Sequence, residues 1–234
     1  EKGYGFLINK EIQYLKNELE NPKKPLLVII GGAKISTKIA LINHLVEKAD
    51  IILVGGAMAF TFQKALGYNV GNSLVEDEEL STSLEIIKKA KRKNVNLQFP
   101  VDAVCAKDIN KHESIEVKSI DHLENDDIGL DIGPETCINY QMFIKSAKTI
   151  VWNGPLGFFE IPYYSTGTQS IAISIEQHGQ KNNITTIIGG GDTVSAIDSL
   201  NPDMKFTHIP TGGGSSLELL SGKDLPALKG INIL

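Results

Sequence analysis

The chain has 234 residues, of which 41% are hydrophobic and 22% charged, and its formal net charge is −5 at pH 7. This composition excludes a disordered or fibrous protein, and the length is sufficient for one large hydrophobic core or two small ones. The 23 lysines and arginines are spread along the sequence, so they form no basic footprint for nucleic acid or for an anionic membrane.

The cellular environment is predicted from three further features. Cys105 and Cys137 are far apart and form neither a CxxC pair nor a metal-ligand pattern, which is typical of a reducing compartment. No apolar run approaches the roughly 20 residues that a membrane helix needs, and no signal peptide is visible. We therefore expect a cytoplasmic protein, monomeric, with no nucleic-acid and no membrane partner.

In chain order, the first predicted element is an amphipathic helix over Asn9–Glu20, which Asn21-Pro22 ends. Apolar, β-branched runs then alternate with glycine-rich turns and helical segments, a pattern typical of a parallel sheet with crossover helices. Six runs are almost continuously apolar, as strands buried on both faces are; they are Leu26–Ile30, Ile51–Val54, Asn96–Phe99, Thr149–Trp152, Thr185–Ile188 and Phe206–Ile209. The predicted fold class is α/β, with a three-layer, Rossmann-like parallel β-sheet and helices on both faces.

Three segments between these strands need separate interpretation. The segment Asp77–Lys93 begins with acidic and ends with basic residues, which favours a helix because these charges complement the helix dipole. Isoleucine occupies every second position at Ile171, Ile173 and Ile175, as apolar residues do in a strand. The flanking parallel strands require a crossover connection, however, so we predict a helix. The segment Lys107–Asp127 is polar and irregular, and we predict within it one short strand, Ser114–Val117.

Glycine-rich turns follow five of the predicted strands. In open parallel sheets, ligands bind beyond the carboxyl ends of the strands, where helix N-termini offer free N–H groups. A single glycine after a strand is also ordinary turn chemistry, but five at one end of a sheet favour a binding site. None has the P-loop or the G-x-G-x-x-G spacing. The turns are Gly31–Lys38, Gly55–Ala57, Asn153–Gly157, Gly189–Thr193 and Thr211–Ser215.

Charged residues in these turns have two possible roles each. Lys34 and Lys38 are four residues apart around a predicted helix start, so both ammonium groups could face one anion, or both could be exposed surface lysines. Asp192 follows three glycines at another helix start, where it could hold Mg²⁺ or act as the N-cap. The five histidines have no ligand spacing, and Trp152 is most simply a core residue.

Taken together, these turns resemble the phosphoglycerate kinase family, specifically its C-terminal, nucleotide-binding lobe. The resemblance covers essentially the whole chain and depends on many distinct motifs in order. They are Gly5-Phe6-Leu7, Gly31-Gly32-Ala33-Lys34, Ala59-Phe60-Thr61-Phe62, Phe99-Pro100-Val101-Asp102, Leu130-Asp131-Ile132-Gly133-Pro134, Val151-Trp152-Asn153-Gly154-Pro155, Gly189-Gly190-Gly191-Asp192-Thr193 and Thr211-Gly212-Gly213-Gly214.

The resemblance implies reversible phosphoryl transfer between ATP and the carboxylate of 3-phosphoglycerate, giving ADP and 1,3-bisphosphoglycerate, with Mg²⁺ required. It implies that Lys38, Gly191 and Gly213 are catalytic and that Asp192 is the Mg²⁺ ligand. The nucleotide-binding residues that it implies are Gly32, Lys34, Gly55, Gly56, Leu74, Gly129, Leu130, Asn153, Pro155, Gly157, Phe158, Glu160, Gly190, Gly191, Asp192 and Thr193. A phosphate-facing loop would comprise Thr211, Gly212, Gly213 and Gly214.

The same resemblance divides the chain into an interlobe helix, residues 1–20, a nucleotide-binding α/β domain, residues 21–221, and a C-terminal tail, residues 222–234. Thr37, Ala57 and Pro210 replace an Asp, a Gly and a Ser that are common in the family. The family's other lobe, which binds the phosphoglycerate, would precede Glu1, so we expect this chain to bind nucleotide but not to catalyse transfer by itself.

Two other functions stay open at this point. The same turns could belong to a non-catalytic adenine-nucleotide binding module. A dinucleotide oxidoreductase is less favoured, because Gly31-Gly32-Ala33 lacks the second and third glycines of the G-x-G-x-x-G turn.

Overall fold

The computed structural model describes residues 21–209 of the chain. The predicted helix Asn9–Glu20, the loop Thr211–Gly214 and the tail 222–234 lie outside the described residues. The strands are β1 (Leu26–Ile30), β2 (Ile51–Val54), β3 (Asn96–Gln98), β4 (Asp102–Ala106), β5 (Glu116–Ser119), β6 (Ile128–Ile132), β7 (Thr149–Asn153) and β8 (Thr185–Gly189). The α-helices are α1 (Ile39–Leu45), α2 (Met58–Ala65), α3 (Leu80–Arg92), α4 (Pro134–Ser146), α5 (Thr166–Asn182) and α6 (Gly191–Leu200). Short 3₁₀ helices cover Asp77–Glu79, His112–Ser114, Ile120–His122 and Pro162–Tyr164.

The main sheet has five parallel strands in the order β3-β2-β1-β7-β8. Its central strand, β1, is buried at every residue, so both faces of the sheet are covered. The chain adds β2 and β3 on one side of β1 and later adds β7 and β8 on the other side. Because the order reverses beside β1, the carboxyl ends of β1, β2 and β7 form the edge at which an open α/β sheet binds ligands.

Helices cover both faces of the main sheet, as the sequence predicts. One core contains Leu26, Val28 and Ile30 of β1 together with side chains of α1, α2 and α3. The other contains Leu27 and Ile29 together with side chains of α4, α5 and α6. Alternate residues of one strand therefore enter opposite cores, which explains why the sequence of β1 is apolar throughout. The three-layer α/β prediction is confirmed.

The structure adds a second, antiparallel sheet that the sequence analysis missed, with the strand order β5-β4-β6. The short strand predicted over Ser114–Val117 is wrong in position, because Ser114 ends a 3₁₀ helix and β5 is Glu116–Ser119. β5 is an exposed, largely polar strand, with 54% of the Val117 side chain accessible. Its pairing with β4 is the origin of its extended conformation, and no local apolar pattern marks it.

Two other predictions can be compared with the structure. The segment around Ile173 is a helix, α5, in which Ile171 and Ile175 are fully buried and Ile173 is partly exposed, as i, i+4 spacing requires. The strand predicted over Phe206–Ile209 is wrong among the described residues, because His208 forms only an isolated bridge to Ile187.

Side-chain hydroxyls explain why that strand does not form. The Thr186 backbone N–H donates to the Thr207 hydroxyl at 3.0 Å, and the Thr207 N–H donates to the Thr186 hydroxyl at 2.9 Å. These bonds occupy donors that a strand ladder would use.

No helix among residues 21–209 is long and apolar enough to cross a membrane. Cys105 and Cys137 are both buried and unpaired.

Candidate functional site

The loops that follow β1, β2 and β7 are bonded to one another at the carboxyl edge of the main sheet. The Gly32 N–H donates to the Pro155 carbonyl at 2.8 Å, and the Gly56 N–H donates to the Leu156 carbonyl at 2.9 Å. Gly56 has φ +64°, and a Cβ built on it would lie 2.5 Å from the Gly32 nitrogen. A glycine is therefore required there, because the three loops meet at backbone distance.

Lys38 connects the first of these loops to the third. Its ammonium group donates to the Gly31 carbonyl at 2.7 Å and contacts the Asn153 carbonyl at 3.3 Å. Burial lowers the pKa of Lys38 to about 8, while the Asp192 carboxylate acts in the opposite direction. The group thus remains mostly charged at neutral pH, at the point where two strand ends meet.

Lys34 and Lys38 lie on one loop, before the first helical residue of α1. Lys38 is the N-cap of α1, which begins at Ile39, so the predicted helix start lies directly after the second lysine. Lys34 is exposed and four residues upstream in a turn, where its carbonyl accepts from the Thr37 hydroxyl at 3.0 Å. This bond gives Thr37 a local role in the turn.

Thr193 holds the loop after β7 against the start of α6. Its hydroxyl accepts from the Gly154 N–H at 2.6 Å and donates to the Gly189 carbonyl at 2.7 Å. The N-cap of α6 is Gly190, with φ +89°, and Asp192 is exposed in the first helical turn. The N-cap alternative for Asp192 is therefore wrong, and its carboxylate is left at the rim of the site.

Asn153 carries a buried amide that faces the same helix start. Asn153 is only 2% exposed, and its Nδ2 has no hydrogen-bond partner among the described residues. A Cβ built on Gly190 would lie 2.9 Å from that Nδ2, so the amide lies against the glycine that begins α6. A buried N–H group without a partner costs free energy, which indicates that a ligand supplies the acceptor for this amide.

A cleft of about 480 Å³ opens next to these loops, within the range of small-molecule sites. The second sheet supplies one wall, and the interlocked loops supply the other. The predicted residues that line this cleft are Gly32, Gly56, Leu74, Gly129, Leu130, Pro155, Gly157, Phe158, Glu160 and Asp192.

The other described candidates do not line this cleft. Lys38, Asn153, Gly190, Gly191 and Thr193 belong to the loop edge that adjoins it, and Gly191 is exposed there with open space around it.

Gly55 is buried, and a Cβ built on it would lie 2.5 Å from Leu156 Cδ2, so it serves loop packing. Ala57 lines the cleft with φ −62°, a conformation that needs no glycine.

Several cleft residues were missed by the sequence analysis. Ala33, Ala57 and Phe159 adjoin predicted residues, and Ala57 ends a predicted glycine-rich turn. No local signal marks the others, because they come from the connection to α3, the irregular segment before β6 and the first residue of β6. The missed residues are Ala33, Ala57, Asn72, Ile109, Ile128 and Phe159.

The donor set at the rim fits a magnesium ion carried by a phosphate ligand. Mg²⁺ prefers one or two carboxylates together with water and phosphate oxygens, and Asp192 offers one exposed carboxylate in the cleft wall. The only group of three potential metal ligands in the described part of the chain is Glu124, Asp126 and Asp127. Lys107 and Lys118 already form ion pairs with those carboxylates, so most of the negative charge of that cluster is offset within the protein.

Comparison with known proteins gives consistent matches over nearly the whole chain. The family model described as phosphoglycerate kinase matches residues 1–223. A phosphoglycerate kinase of Thermosipho africanus is 50% identical over 230 residues, covering 97% of this chain and 56% of that protein. One from Dictyoglomus turgidum is 47% identical over 224 residues, covering 96% of this chain and 56% of that protein. The chain thus spans little more than half the length of these relatives.

Solved structures agree with the sequence matches. Phosphoglycerate kinase from Coxiella burnetii superimposes with a TM-score of 0.90 at 42% identity, over 95% of this chain and 57% of that one. The enzyme from Pyrococcus horikoshii gives a TM-score of 0.75 at 25% identity, over 96% of this chain and 56% of that one.

Proposed function

The chain belongs to the phosphoglycerate kinase family, and on that premise we propose that it forms the lobe that binds the adenine nucleotide. The whole protein would transfer a phosphoryl group reversibly between ATP and the carboxylate of 3-phosphoglycerate. The observation that carries this proposal is the cleft beside the β1, β2 and β7 loops, because it collects ten residues that the resemblance implies for nucleotide binding.

The two ends of the site differ in chemistry, which supports one orientation of the ligand. Leu74, Leu130 and Phe158 give the cleft an apolar end suited to a nucleobase. The loop edge offers Lys38, the Asn153 amide and the first N–H groups of α6, which favour phosphate. Glu160 at the cleft surface is suited to accept from ribose hydroxyls.

Phosphoryl transfer depends on positioning and on donors directed at the equatorial oxygens. In our proposal Lys38 donates to the transferring group from a position fixed by two carbonyls. The Asn153 Nδ2, which has no partner among the described residues, donates beside it. Asp192 would hold Mg²⁺, which supplies charge neutralisation to the nucleotide phosphates. Gly191 leaves the approach to the α6 N-terminus unobstructed.

The acceptor requires cations that the cleft does not contain. Arg92 is the one arginine in the sequence, and it lies at the end of α3, away from the cleft lining. We propose that 3-phosphoglycerate and 1,3-bisphosphoglycerate are bound only with residues outside this chain. A coupled assay in which the 234-residue chain turned over at the rate of a whole phosphoglycerate kinase would contradict this proposal.

Calorimetric titration with Mg-ADP and Mg-ATP tests the nucleotide lobe directly. We expect saturable binding that weakens by about tenfold or more in Lys34→Ala and Asp192→Ala, since each variant loses a charged contact to phosphate or its metal. Matched controls are Lys145→Ala on α4 and Asp198→Ala, an exposed carboxylate on α6 itself.

The controls separate a local effect from a general one. Binding that weakened equally in the controls would remove the argument that the phosphates lie at these loops. No binding by the unmodified chain would contradict the nucleotide-lobe proposal.

A further inference from the structure

We propose that the side-chain amide of Asn72 hydrogen-bonds the nucleobase of the bound nucleotide. This inference rests on the proposed nucleotide function and adds to it a residue that the resemblance does not implicate. Asn72 lines the cleft next to Leu74, Ile128 and Gly129, at the apolar end that a base would occupy.

Asn72 is held on a rigid turn. Its N–H donates to the Asp127 carbonyl at 2.8 Å. Gly71, with φ +57°, packs so closely that a Cβ on it would lie 2.4 Å from the same carbonyl oxygen. The Asn69 amide donates to the Leu123 carbonyl at 2.9 Å and accepts from the Gly71 N–H at 3.1 Å. The backbone of Asn72 is therefore fixed against the segment that leads into β6.

Two backbone groups of the cleft wall already have hydrogen-bond partners within the protein. The Gly129 N–H donates to the buried Ser73 hydroxyl at 2.9 Å. The Leu130 carbonyl accepts from the Phe158 N–H at 2.8 Å. A base that enters beside these two groups needs other polar partners, and the side chains of the lining can supply them.

Among the described side chains that line the cleft, Asn72, Glu160 and Asp192 are the polar ones. Ionised carboxylates only accept hydrogen bonds, whereas an amide both donates and accepts. The Asn72 amide has no hydrogen bond to any other described residue, so both of its functions are available. An amide donor–acceptor pair matches adenine, which offers an amino group next to a ring nitrogen, and it also matches guanine, which offers O6 next to N1–H.

The complementary chemistry for guanine predicts a change of preference. Guanine presents two adjacent donors, N1–H and the 2-amino group, to which a carboxylate can accept twice. Asn72→Asp keeps the shape of the side chain, removes its N–H donors and adds a second acceptor. It should therefore penalise adenine, whose ring nitrogen then faces a carboxylate oxygen, and favour guanine.

The experiment titrates ADP, GDP and inorganic pyrophosphate, each with Mg²⁺, into the unmodified chain, Asn72→Ala, Asn72→Asp and the control Asn139→Ala. Asn139 is a half-buried residue on α4 and does not line the cleft. We expect Asn72→Ala to weaken ADP binding by about five- to tenfold and to leave pyrophosphate binding unchanged. We expect Asn72→Asp to move the ratio of ADP to GDP affinity towards GDP by about tenfold or more.

The outcomes distinguish this inference from the proposed function. If the unmodified chain binds ADP and neither Asn72 variant changes the ADP-to-GDP ratio, Asn72 does not read the base, and the nucleotide lobe stands. If pyrophosphate binding falls as much as ADP binding, the substitution has disturbed the site and base reading is refuted. If the unmodified chain binds no nucleotide, both proposals fail together.

Discussion

The Asp131 carboxylate accepts a 2.7 Å hydrogen bond from the backbone N–H of Gly167, in the first turn of α5. Its other oxygen accepts from the Ile132 N–H at 2.9 Å. A Cβ on Gly157 would lie 2.2 Å from the carboxylate, so the loop of the cleft approaches it at contact distance. One buried acid therefore joins the second sheet, the cleft loop and a helix of the main sheet.

We predict that Asp131 makes stability decrease as pH rises towards neutrality. Burial raises its pKa to about 7, against an ordinary value of 3.8. The folded state then holds more protons than the unfolded state between these values, so the contribution of Asp131 is complete below about pH 4 and is lost as pH rises through 7.

Chemical unfolding of the unmodified chain and of Asp131→Asn at several pH values measures this effect. The difference in unfolding free energy should shift by a few kcal/mol in favour of the variant between about pH 4 and 8, since tenfold in proton affinity corresponds to about 1.4 kcal/mol. A difference that stayed constant over this range would show that the Asp131 carboxyl is ionised throughout.

Lys38 should make nucleotide affinity depend on alkaline pH. With a pKa lowered to about 8 by burial, the ammonium loses its proton as the pH rises above that value. ATP binding by the unmodified chain should therefore weaken from about pH 8 upwards, because the terminal phosphate loses a cationic donor.

Lys38→Met should bind ATP about tenfold or more weakly at pH 7 and show no such decline in ATP affinity between pH 7 and 9. Calorimetry at constant ionic strength measures the affinity at pH 7 and its change up to pH 9, with Lys145→Met on α4 as the control. A parallel decline in both chains would mean that another group titrates.

Gly56→Ala should destabilise the protein more than Gly67→Ala. Both glycines have positive φ, +64° and +95°, so each alanine costs about 1 to 2 kcal/mol of backbone strain. Only the Cβ at position 56 meets other atoms, at 2.5 Å from the Gly32 nitrogen, whereas nothing lies within 4 Å at position 67.

We expect urea unfolding to show that Gly56→Ala is destabilised by about 2 kcal/mol more than Gly67→Ala. We also expect Gly56→Ala to bind ADP more weakly. Equal losses would mean that the three loops can separate without cost.

Thr193→Val should uncouple the loop after β7 from the start of α6. The isosteric side chain leaves the buried Gly154 N–H and Gly189 carbonyl without their partner, at about 1 to 3 kcal/mol for each group. Thr193→Ser retains the hydroxyl and should stay within about 1 kcal/mol of the unmodified chain. Thermal unfolding compares the two variants, and an equal loss in both would show that the hydrogen bonds of the hydroxyl do not account for the effect.

The main sheet could be predicted from the sequence. The strands β1, β2, β7 and β8 are buried on both faces, so their apolar runs and the glycines that follow are local signals of position and direction. The helical identity of α5 also followed from sequence, because parallel strands on either side demand a crossover. The same turns predicted that an anion-binding edge lies at the carboxyl ends.

The lining of the cleft could not be predicted from local patterns in the sequence, because it depends on contacts between distant segments. Its far wall depends on β4 pairing with β6, as in Ala103 with Ile132, and such non-local pairing places Ile128 and Asn72 beside the β1 loop without any periodic signal in their own segments. The protonation states of Lys38 and Asp131 are likewise tertiary properties. The pKa of each group depends on its burial and on the residues that surround it in the fold, not on its neighbours in sequence.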